Sequence, residues 1–258
     1  MKNNLFSSFS NFLKKNGVNA SSTLLLHSSY SKLKREKVEP NYLLEFFIDI
    51  VNQGNLLLPT MSWRFVNKNN PIFNINETPS NTGFLTEFFR VNYAKKRSLH
   101  PTHSLSGLGQ NIDHLLSNHH LSETPCSKQS PFYKLLDYDS WILFINTNID
   151  CCTLLHCCEE LISPNTYCVS KLDKIKYKLI DEKGIEFEYW LRKHKTLNRN
   201  YYKVQDLLSR ENKVSYYQNG LFNIMLYRAS DIFDFAYNNL KNDKNFLIAK
   251  NLENYRIM

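Results

Sequence analysis

His156 and Glu159 are the two side chains of this sequence best suited to acid–base chemistry. They fall in the segment Thr153 to Glu159, shortly after an apolar run that ends at Ile145. On a helix, residues three apart share one face, so the carboxylate can hold the imidazole in one tautomer and support its protonation. A histidine held in this way can act as a general base. The alternative is an ordinary ion pair on a helix surface, although the apolar and thiol neighbours indicate burial.

A second group of polar side chains lies between Arg97 and Gly109. It contains two His, three Ser and two Gly around Pro101, a composition that disfavours a continuous helix. These hydrogen-bonding side chains predict a loop built for ligand contact, with an ordinary polar turn as the alternative.

A third candidate is His27-Ser28-Ser29 at a strand end. There serine could cap the next helix, whose free N–H groups could receive a phosphate, or it could act as a cap alone.

The cysteines at positions 126, 151, 152, 157, 158 and 168 are predicted to be free thiols. Adjacent cysteines cannot easily bind one metal ion, and no Cys-x-x-Cys spacing occurs, so we expect no metal site. A cysteine nucleophile beside His156 is also disfavoured, because neighbours on a helix diverge by about 100°. We expect small buried hydrophobic roles for these residues. Glycine-rich phosphate loops of the Walker or dinucleotide type are absent from the sequence.

The elements that must position these residues follow from apolar periodicity. Short apolar runs predict buried strands at Thr23–Leu26, Asn55–Pro59 and Trp141–Ile145. Helical spacing predicts helices at 5–15, 40–50, 83–91, 111–118, 152–161 and after Ser230. Near the start of the chain, the order of strand, helix and strand predicts a βαβ unit.

The C-terminal third changes to a period of two. Apolar residues at 175, 177 and 179 alternate with Lys, a turn follows, and apolar residues at 185, 187 and 189 alternate with Glu. This pattern predicts an antiparallel β-hairpin with Lys facing Glu across the strands. Residues 67–81, rich in Asn, Pro and Ser, predict a long surface loop. With no repeat and no linker, we expect a single domain over residues 1–258, with residues 170–205 as a β-hairpin excursion.

Composition and charge restrict the class of protein. An apolar content of 42% excludes general disorder, whereas 32 Lys and Arg against 24 Asp and Glu give a formal charge of +8. Such a surplus suits nucleic acid, an anionic membrane face or an anionic small ligand. The basic residues are dispersed and form no nucleic-acid module, which disfavours nucleic acid. No segment approaches the roughly 20 apolar residues of a membrane helix, and the N-terminus lacks secretory character, so we expect a cytoplasmic protein without a membrane partner.

Taken in order, these segments resemble the aminoglycoside 3-N-acetyltransferase family, whose members use coenzyme A to acetylate an amine of an amino-sugar substrate. The matching pieces cover about residues 20–165 and are Leu26-His27-Ser28-Ser29, Gly54 to Thr60, Phe73-Asn74, Thr78-Pro79-Ser80, Gly83 to Arg90, Arg97 to Pro101 with Ser104 and Gly109, Ser130-Pro131, and Thr153 to Glu159. Their order and spacing are more specific than any single motif.

The resemblance implies a three-layer α/β fold with a central mixed sheet flanked by helices, and acetyl-CoA as co-substrate with no metal. It places the base dyad on His156 and Glu159. The expected coenzyme A contacts are Ser28, Ser29, Arg97, Ser98, His100 and Ser104. Lys34 and Arg35 stand near where family members often have glycine, and we expect these cations to contact the phosphates instead. Glu87 and Thr153 are the expected substrate contacts, and the loop at 100–104 is the expected source of oxyanion donors.

Two classes of substrate could supply the amine that accepts the acetyl group. An enzyme that binds polycationic aminoglycosides should gather carboxylates, whereas this chain is basic. That charge favours a nucleotide-linked or surface-glycan amino sugar, although salt screens charges beyond about 8 Å. The alternative is an aminoglycoside 3-N-acetyltransferase that confers antibiotic resistance. A non-catalytic nucleotide- or nucleic-acid-binding protein and an acyltransferase or hydrolase acting through cysteine are further alternatives, and a homo-oligomer is compatible with the sequence.

Overall fold

The chain alternates strands and helices along most of residues 2–249, the part that the structure, a computed structural model, describes. The strands are β1 Thr23–Ser28, β2 Asn55–Pro59, β3 Ile72–Asn74, β4 Lys96–Arg97, β5 Leu105–Gly109, β6 Ser140–Ile145, β7 Ile175–Ile180, β8 Glu186–Leu191, β9 Ser215–Gln218 and β10 Asn223–Arg228. The α-helices are α1 Lys2–Lys15, α2 Ser31–Arg35, α3 Pro40–Ile50, α4 Phe84–Asn92, α5 Ile112–Leu116, α6 Pro131–Lys134, α7 Leu154–Ile162, α8 Pro164–Tyr167, α9 Tyr202–Arg210 and α10 Ala229–Asn242. Residues 1 and 250–258, which belong to the predicted single domain, lie outside the described range.

A mixed sheet forms the centre of the fold. Within residues 2–249 it has seven strands, in the order β4-β5-β2-β1-β6-β10-β9. The three apolar strands β2, β1 and β6 are parallel, and the strands added on either side are antiparallel to their neighbours. The predicted βαβ unit is confirmed, since α3 connects the parallel neighbours β1 and β2 through a helix with proline in its first turn.

Side chains of the central strands are buried on both faces of this sheet. Leu25 of β1 belongs to a core that includes α7 and α10, whereas Leu24 and Leu26 belong to the opposite core, formed with α1, α3 and α4. This division follows from the alternation of side chains along a strand. Two covered faces explain why the strands are apolar at consecutive positions. The predicted three-layer α/β fold is therefore confirmed.

A smaller sheet contains the predicted hairpin. Strands β7 and β8 are antiparallel, and β3 adds to β7 in parallel. Lys178 lies directly opposite Glu188 but forms its ion pair with Glu186, one step along the diagonal. The prediction of Lys facing Glu is confirmed. Residues 67–81, by contrast, are not a loop throughout, because Ile72–Asn74 forms β3.

The predicted ligand loop between Arg97 and Gly109 also contains regular structure. Its second half is β5, which pairs with β2 along Leu105 to Gly109. Gly107 is required there, because a Cβ would lie 2.4 Å from the Ile112 side chain and 2.5 Å from that of Leu57. Glycine is uncommon in strands, so its presence at this crowded position hid the strand pattern in the sequence and led to the prediction of a loop. Among residues 2–249, no helix combines the length and apolar character needed to cross a bilayer.

Candidate active site

A cleft opens at the carboxyl ends of the parallel strands β1, β2 and β6. Its volume is about 330 Å³, and its walls come from strand ends, from the start of α7 and from the segment before β5. The lining residues are His27, Ser28, Pro59, Met61, Trp63, Thr82, Thr86, His103, Thr147, Asp150, Cys151, Cys152, Thr153 and His156. The chain passes from β1 to β2 on one side, while β6 lies on the other, so the cleft occupies a topological switch point of the sheet. This is the usual ligand position in open α/β folds.

His156 is held on the wall of this cleft by α7. Its Nδ1 lies 2.8 Å from Glu159 Oε2, one helical turn away, and 3.0 Å from the Tyr201 hydroxyl. Because Glu159 can only accept when ionised, this network assigns the ring proton to Nδ1. The described residues provide no hydrogen-bond partner for Nε2, and the His156 side chain is 18% exposed. In the neutral tautomer with the proton on Nδ1, Nε2 carries the lone pair of the ring, and the ring lines the cleft.

Glu159 is fully buried behind His156 and accepts hydrogen bonds from three residues. Arg199 Nε lies 2.9 Å from Oε1 and Arg199 Nη2 lies 3.1 Å from Oε2, while the Tyr201 hydroxyl donates to Oε1 at 3.1 Å. Burial alone would raise the pKa of Glu159, but His156 and Arg199 outweigh it and lower the pKa to about 2. The carboxylate is therefore charged at neutral pH, and it can fix the orientation of the imidazole and stabilise its protonated form.

The floor of the cleft carries polar atoms that lack partners. His27 Nε2 and Ser28 Oγ are buried and have no hydrogen-bond partner among the described residues. Burial lowers the pKa of His27 to about 3, so its ring is neutral. An unsatisfied buried polar atom costs about 1–3 kcal/mol, which a bound ligand or water can offset. These two atoms are therefore suited to contacts with a bound ligand.

Comparison with protein-family models shows to which family the chain belongs. The model described as aminoglycoside 3-N-acetyltransferase matches residues 25–241. The chain belongs to this family.

Relatives of the family agree with this assignment. A curated protein of Bacillus subtilis, the SPbeta prophage-derived aminoglycoside N(3')-acetyltransferase-like protein YokD, is 28% identical over 171 residues, which are 58% of this chain and 62% of that protein. The aligned region thus spans less than two thirds of the curated relatives that the chain matches.

Solved structures of acetyltransferases share the fold over a larger part of the chain. The complex of an AAC(3)-IVa mutant with a gentamicin superposes with a TM-score of 0.78 at 20% identity, covering 95% of this chain and 91% of that one. The binary complex of AAC-IIIb with CoASH gives a TM-score of 0.76 at 19% identity, covering 92% and 96%. Strand order and layers are thus common to the family.

The structure brings four of the predicted site residues together. His156, Ser28 and Thr153 line the cleft, and Glu159 lies directly behind His156. Ser29 follows Ser28 and donates its backbone N–H to Ile145 O, but it does not line the cleft. Lys34 and Arg35 are exposed on α2, the helix that follows β1.

The other predicted contacts do not line this cleft, and their contact with coenzyme A or substrate stays a prediction. Arg97 lines a separate cavity of about 590 Å³. Arg97 donates to the carbonyl oxygens of Thr60, Ile75 and Thr78. The remaining four are engaged within the protein: Ser98 with His119, His100 with backbone N–H groups, Ser104 with Thr60 O, and Glu87 with Arg90. Arg97, Ser98, His100 and Ser104 thus form a buried polar cluster, in which His100 Nε2 has no hydrogen-bond partner among the described residues.

The N–H groups of the loop at 100–104 that were expected to bind the oxyanion already form hydrogen bonds within the protein. The N–H groups of Thr102 and His103 donate to His100 Nδ1, at 3.2 and 2.9 Å. His103 still contributes to the site, since its side chain lines the cleft. The cleft offers two other polar groups for this task, the hydroxyl of Ser28 and that of Thr153 at the N-terminus of α7.

The sequence analysis missed two residues that line the cleft, Trp63 and Asp150, and two that bind Glu159 behind it, Arg199 and Tyr201. Trp63 and Asp150 come just after the ends of β2 and β6, so the rule that ligands bind at carboxyl ends of parallel strands would have found them. Arg199 and Tyr201 reach Glu159 from 40 and 42 residues along the chain. No local pattern marks such a distant pairing.

Proposed function

We propose that this protein transfers the acetyl group of acetyl-CoA to an amine of an aminoglycoside. The observation that carries the proposal is the His156–Glu159 pair at the cleft, with Nδ1 tied to the carboxylate and Nε2 without a partner among the described residues. Membership of the aminoglycoside 3-N-acetyltransferase family supports the reaction class. The printed descriptions of relatives, an aminoglycoside N-acetyltransferase among them, support the acceptor.

The proposed mechanism is direct attack of the amine with His156 as general base. An alkylammonium has no lone pair, so the site must remove a proton before or during attack on the acyl carbon. His156 Nε2 accepts this proton, and the imidazolium that forms is stabilised by the Glu159 carboxylate 2.8 Å from Nδ1. As the C–N bond forms, the C–S bond of the thioester breaks, and the imidazolium returns its proton to the departing thiolate, which leaves as coenzyme A. The second proton that the ammonium loses passes to water. Arg199 and Tyr201 keep Glu159 in place through their hydrogen bonds.

Acetyl-CoA supplies the activated acyl group, a thioester. The unpartnered buried atoms His27 Nε2 and Ser28 Oγ fit the polar groups of such a co-substrate, and a related structure is described as a complex with CoASH. Lys34 and Arg35 are exposed beyond the end of β1 and are the proposed contacts of its phosphates. Ser28 and Thr153 are the proposed donors to the developing oxyanion.

The comparisons favour an aminoglycoside over the nucleotide-linked amino sugar that the basic charge favoured. Gentamicin is named as the ligand of one related structure and sisomicin as that of another. In this chain, Asp150 is the carboxylate that lines the cleft among the described residues, and Trp63 offers an aromatic face that is 44% exposed. A carboxylate and an aromatic ring suit the ammonium groups and apolar ring faces of an amino sugar.

The test is a thiol-release assay with acetyl-CoA against aminoglycosides and nucleotide-linked amino sugars. We expect release of coenzyme A with at least one aminoglycoside, together with a mass increase of one acetyl group on that substrate. Turnover confined to nucleotide-linked sugars would support the other acceptor class. Absence of turnover with every amine, in a folded protein that binds coenzyme A, would contradict the proposed reaction.

Asp150 provides a prediction about the acceptor alone. We expect Asp150→Asn to raise the KM for a polycationic aminoglycoside about fivefold, because losing one partly screened ion pair costs about 1 kcal/mol. The KM for acetyl-CoA should not change. Steady-state kinetics with each substrate varied in turn measure both values, and Asp113→Asn, on the exposed side chain paired with Lys96, is the matched control. An unchanged aminoglycoside KM would remove Asp150 from the acceptor site.

A further inference from the structure

Behind the catalytic helix lies a second cluster of chemically reactive side chains that the proposed reaction does not use. Cys126, Glu160 and His194 each offer one ligand atom, and these atoms all lie within 4.8 Å of one another. Cys126 precedes α6, Glu160 belongs to α7, and His194 follows β8, so three separate segments meet here. The sequence analysis expected no metal because no Cys-x-x-Cys spacing occurs, but ligands drawn from distant segments leave no such spacing.

We propose that Cys126, Glu160 and His194 bind a divalent zinc ion. Thiolate, carboxylate and imidazole are the ligand types that zinc takes in proteins. Ligand atoms around a tetrahedral zinc lie roughly 3.5 Å apart, as bond lengths of about 2.0–2.3 Å require. The cluster therefore needs only small side-chain adjustments, in which the bond between His194 Nε2 and Glu160 Oε1 gives way to bonds with the ion.

The contrast between two adjacent glutamates supports a missing cation. Glu159 is paired with Arg199, whereas the contacts of Glu160 include no lysine or arginine within residues 2–249. Glu160 is buried and is held by the N–H of Cys126, at 2.9 and 3.0 Å from its two oxygens, and by His194 at 2.6 Å. The Thr124 side chain is a further hydrogen-bond partner of Glu160, but within residues 2–249 this buried carboxylate has no permanently charged partner, and a cation would stabilise it.

The charges of the cluster match a divalent ion. A thiolate, a carboxylate and a neutral imidazole carry two negative charges, which one zinc ion neutralises.

Cys168 and His156 lie close to the cluster. Cys168 forms an isolated backbone bridge with His194, and its thiol is buried. The ring of His194 packs 4.2 Å from that of His156, centre to centre. The ion would thus hold the segment after β8 against α7, directly behind the catalytic histidine.

The test measures metal binding to the full chain rather than activity. Apoprotein prepared with a chelator is titrated with zinc or with cobalt(II), whose bond to a thiolate produces a near-ultraviolet absorption band. We expect one equivalent of metal, the thiolate band, and a higher melting temperature with zinc. Wild-type protein that shows neither the band nor a stoichiometric ion would overturn the proposal without any variant.

Variants then assign the ligands. We expect Cys126→Ser to remove the cobalt–thiolate band and to weaken zinc binding by more than about 100-fold, since outer partners of a ligand alone are worth about 10- to 100-fold. Cys158→Ser is the matched control, because Cys158 is equally buried but donates to Phe233 O instead. Zinc binding to Cys126→Ser with the affinity of wild type would overturn the proposal. If Cys126→Ser fails to fold, His194→Asn provides the same test on the imidazole ligand.

Discussion

Replacing His156 with alanine is expected to lower kcat for acetyl transfer by about 10²- to 10⁴-fold, the usual contribution of a general base. The substitution removes the imidazole that both lines the cleft and bonds to Glu159. Binding of acetyl-CoA should persist, because the proposed contacts of that co-substrate lie at the end of β1 and on α2. Thiol release measures the rate, and calorimetric titration with coenzyme A measures the affinity.

Two controls accompany this substitution. His114→Ala removes an exposed imidazole that bonds the Tyr138 hydroxyl and does not line the cleft, and it should leave kcat unchanged. Glu159→Gln keeps the shape of the carboxyl group but removes its charge, so kcat should fall while coenzyme A still binds. An unaltered kcat in His156→Ala would remove the general base from the mechanism and leave the dyad as a structural feature of the helix.

Replacing Arg199 with methionine is expected to destabilise the fold by about 3–5 kcal/mol, because it strands the buried charge of Glu159. Methionine retains much of the apolar stem of arginine, so the loss of stability reflects removal of the guanidinium group rather than creation of a cavity. Glu159 is completely buried, and Arg199 supplies its cationic partner. Urea unfolding with comparison of midpoints and m-values measures the loss.

Repeating the Arg199→Met substitution in the Glu159→Gln variant tests whether the loss of stability depends on the charge of Glu159. In Glu159→Gln the buried group is neutral, so adding Arg199→Met should cost clearly less than it does in wild type. Lys178→Ala, which breaks the exposed pair with Glu186, should cost at most about 1 kcal/mol. Equal losses from Arg199→Met in both backgrounds would show that the guanidinium acts through packing alone.

Periodicity predicted the parts of the fold whose signals are local. The helices α1, α3, α4, α5, α7 and α10 and the strands β1, β2 and β6 lie where the apolar spacing placed them, within a few residues. The hairpin followed from alternation of Lys and Glu with apolar residues. In each case the stabilising contacts repeat within a short segment, so a local pattern is sufficient to reveal them.

The strands that escaped prediction are stabilised from outside their own segments. Strand β3 has three residues in an Asn-rich stretch and exists through its pairing with β7, which lies far along the chain. Strand β5 contains Gly107 because the side chains of Leu57 and Ile112 fill the space of a Cβ. The glycines disfavour β5 as a strand, and three residues are too few for β3 to show a pattern of its own, so both strands depend on tertiary pairing.

The candidate site was predictable to the extent that its residues are neighbours in sequence. His156 and Glu159 share one helical turn, so their spacing was visible, and Ser28 and Thr153 follow from strand ends. The polar cluster of Arg97, Ser98, His100 and Ser104 has the composition of a binding loop, yet most of its polar groups form hydrogen bonds inside the fold. Composition alone does not distinguish a buried hydrogen-bonded network from one that faces a ligand.

The order of strands also has a consequence for synthesis of the chain. The outer edge of β6 is covered by β10, and Phe9 of α1 stacks against Tyr217 and packs on Phe222. Strand β10 leaves the ribosome about 80 residues after β6, and Tyr217 and Phe222 leave it about 200 residues after Phe9. During translation, the nascent chain therefore carries an unpaired strand edge and an unprotected aromatic surface until its last elements emerge. Such intermediates are prone to aggregate, and slow elongation would prolong that exposure.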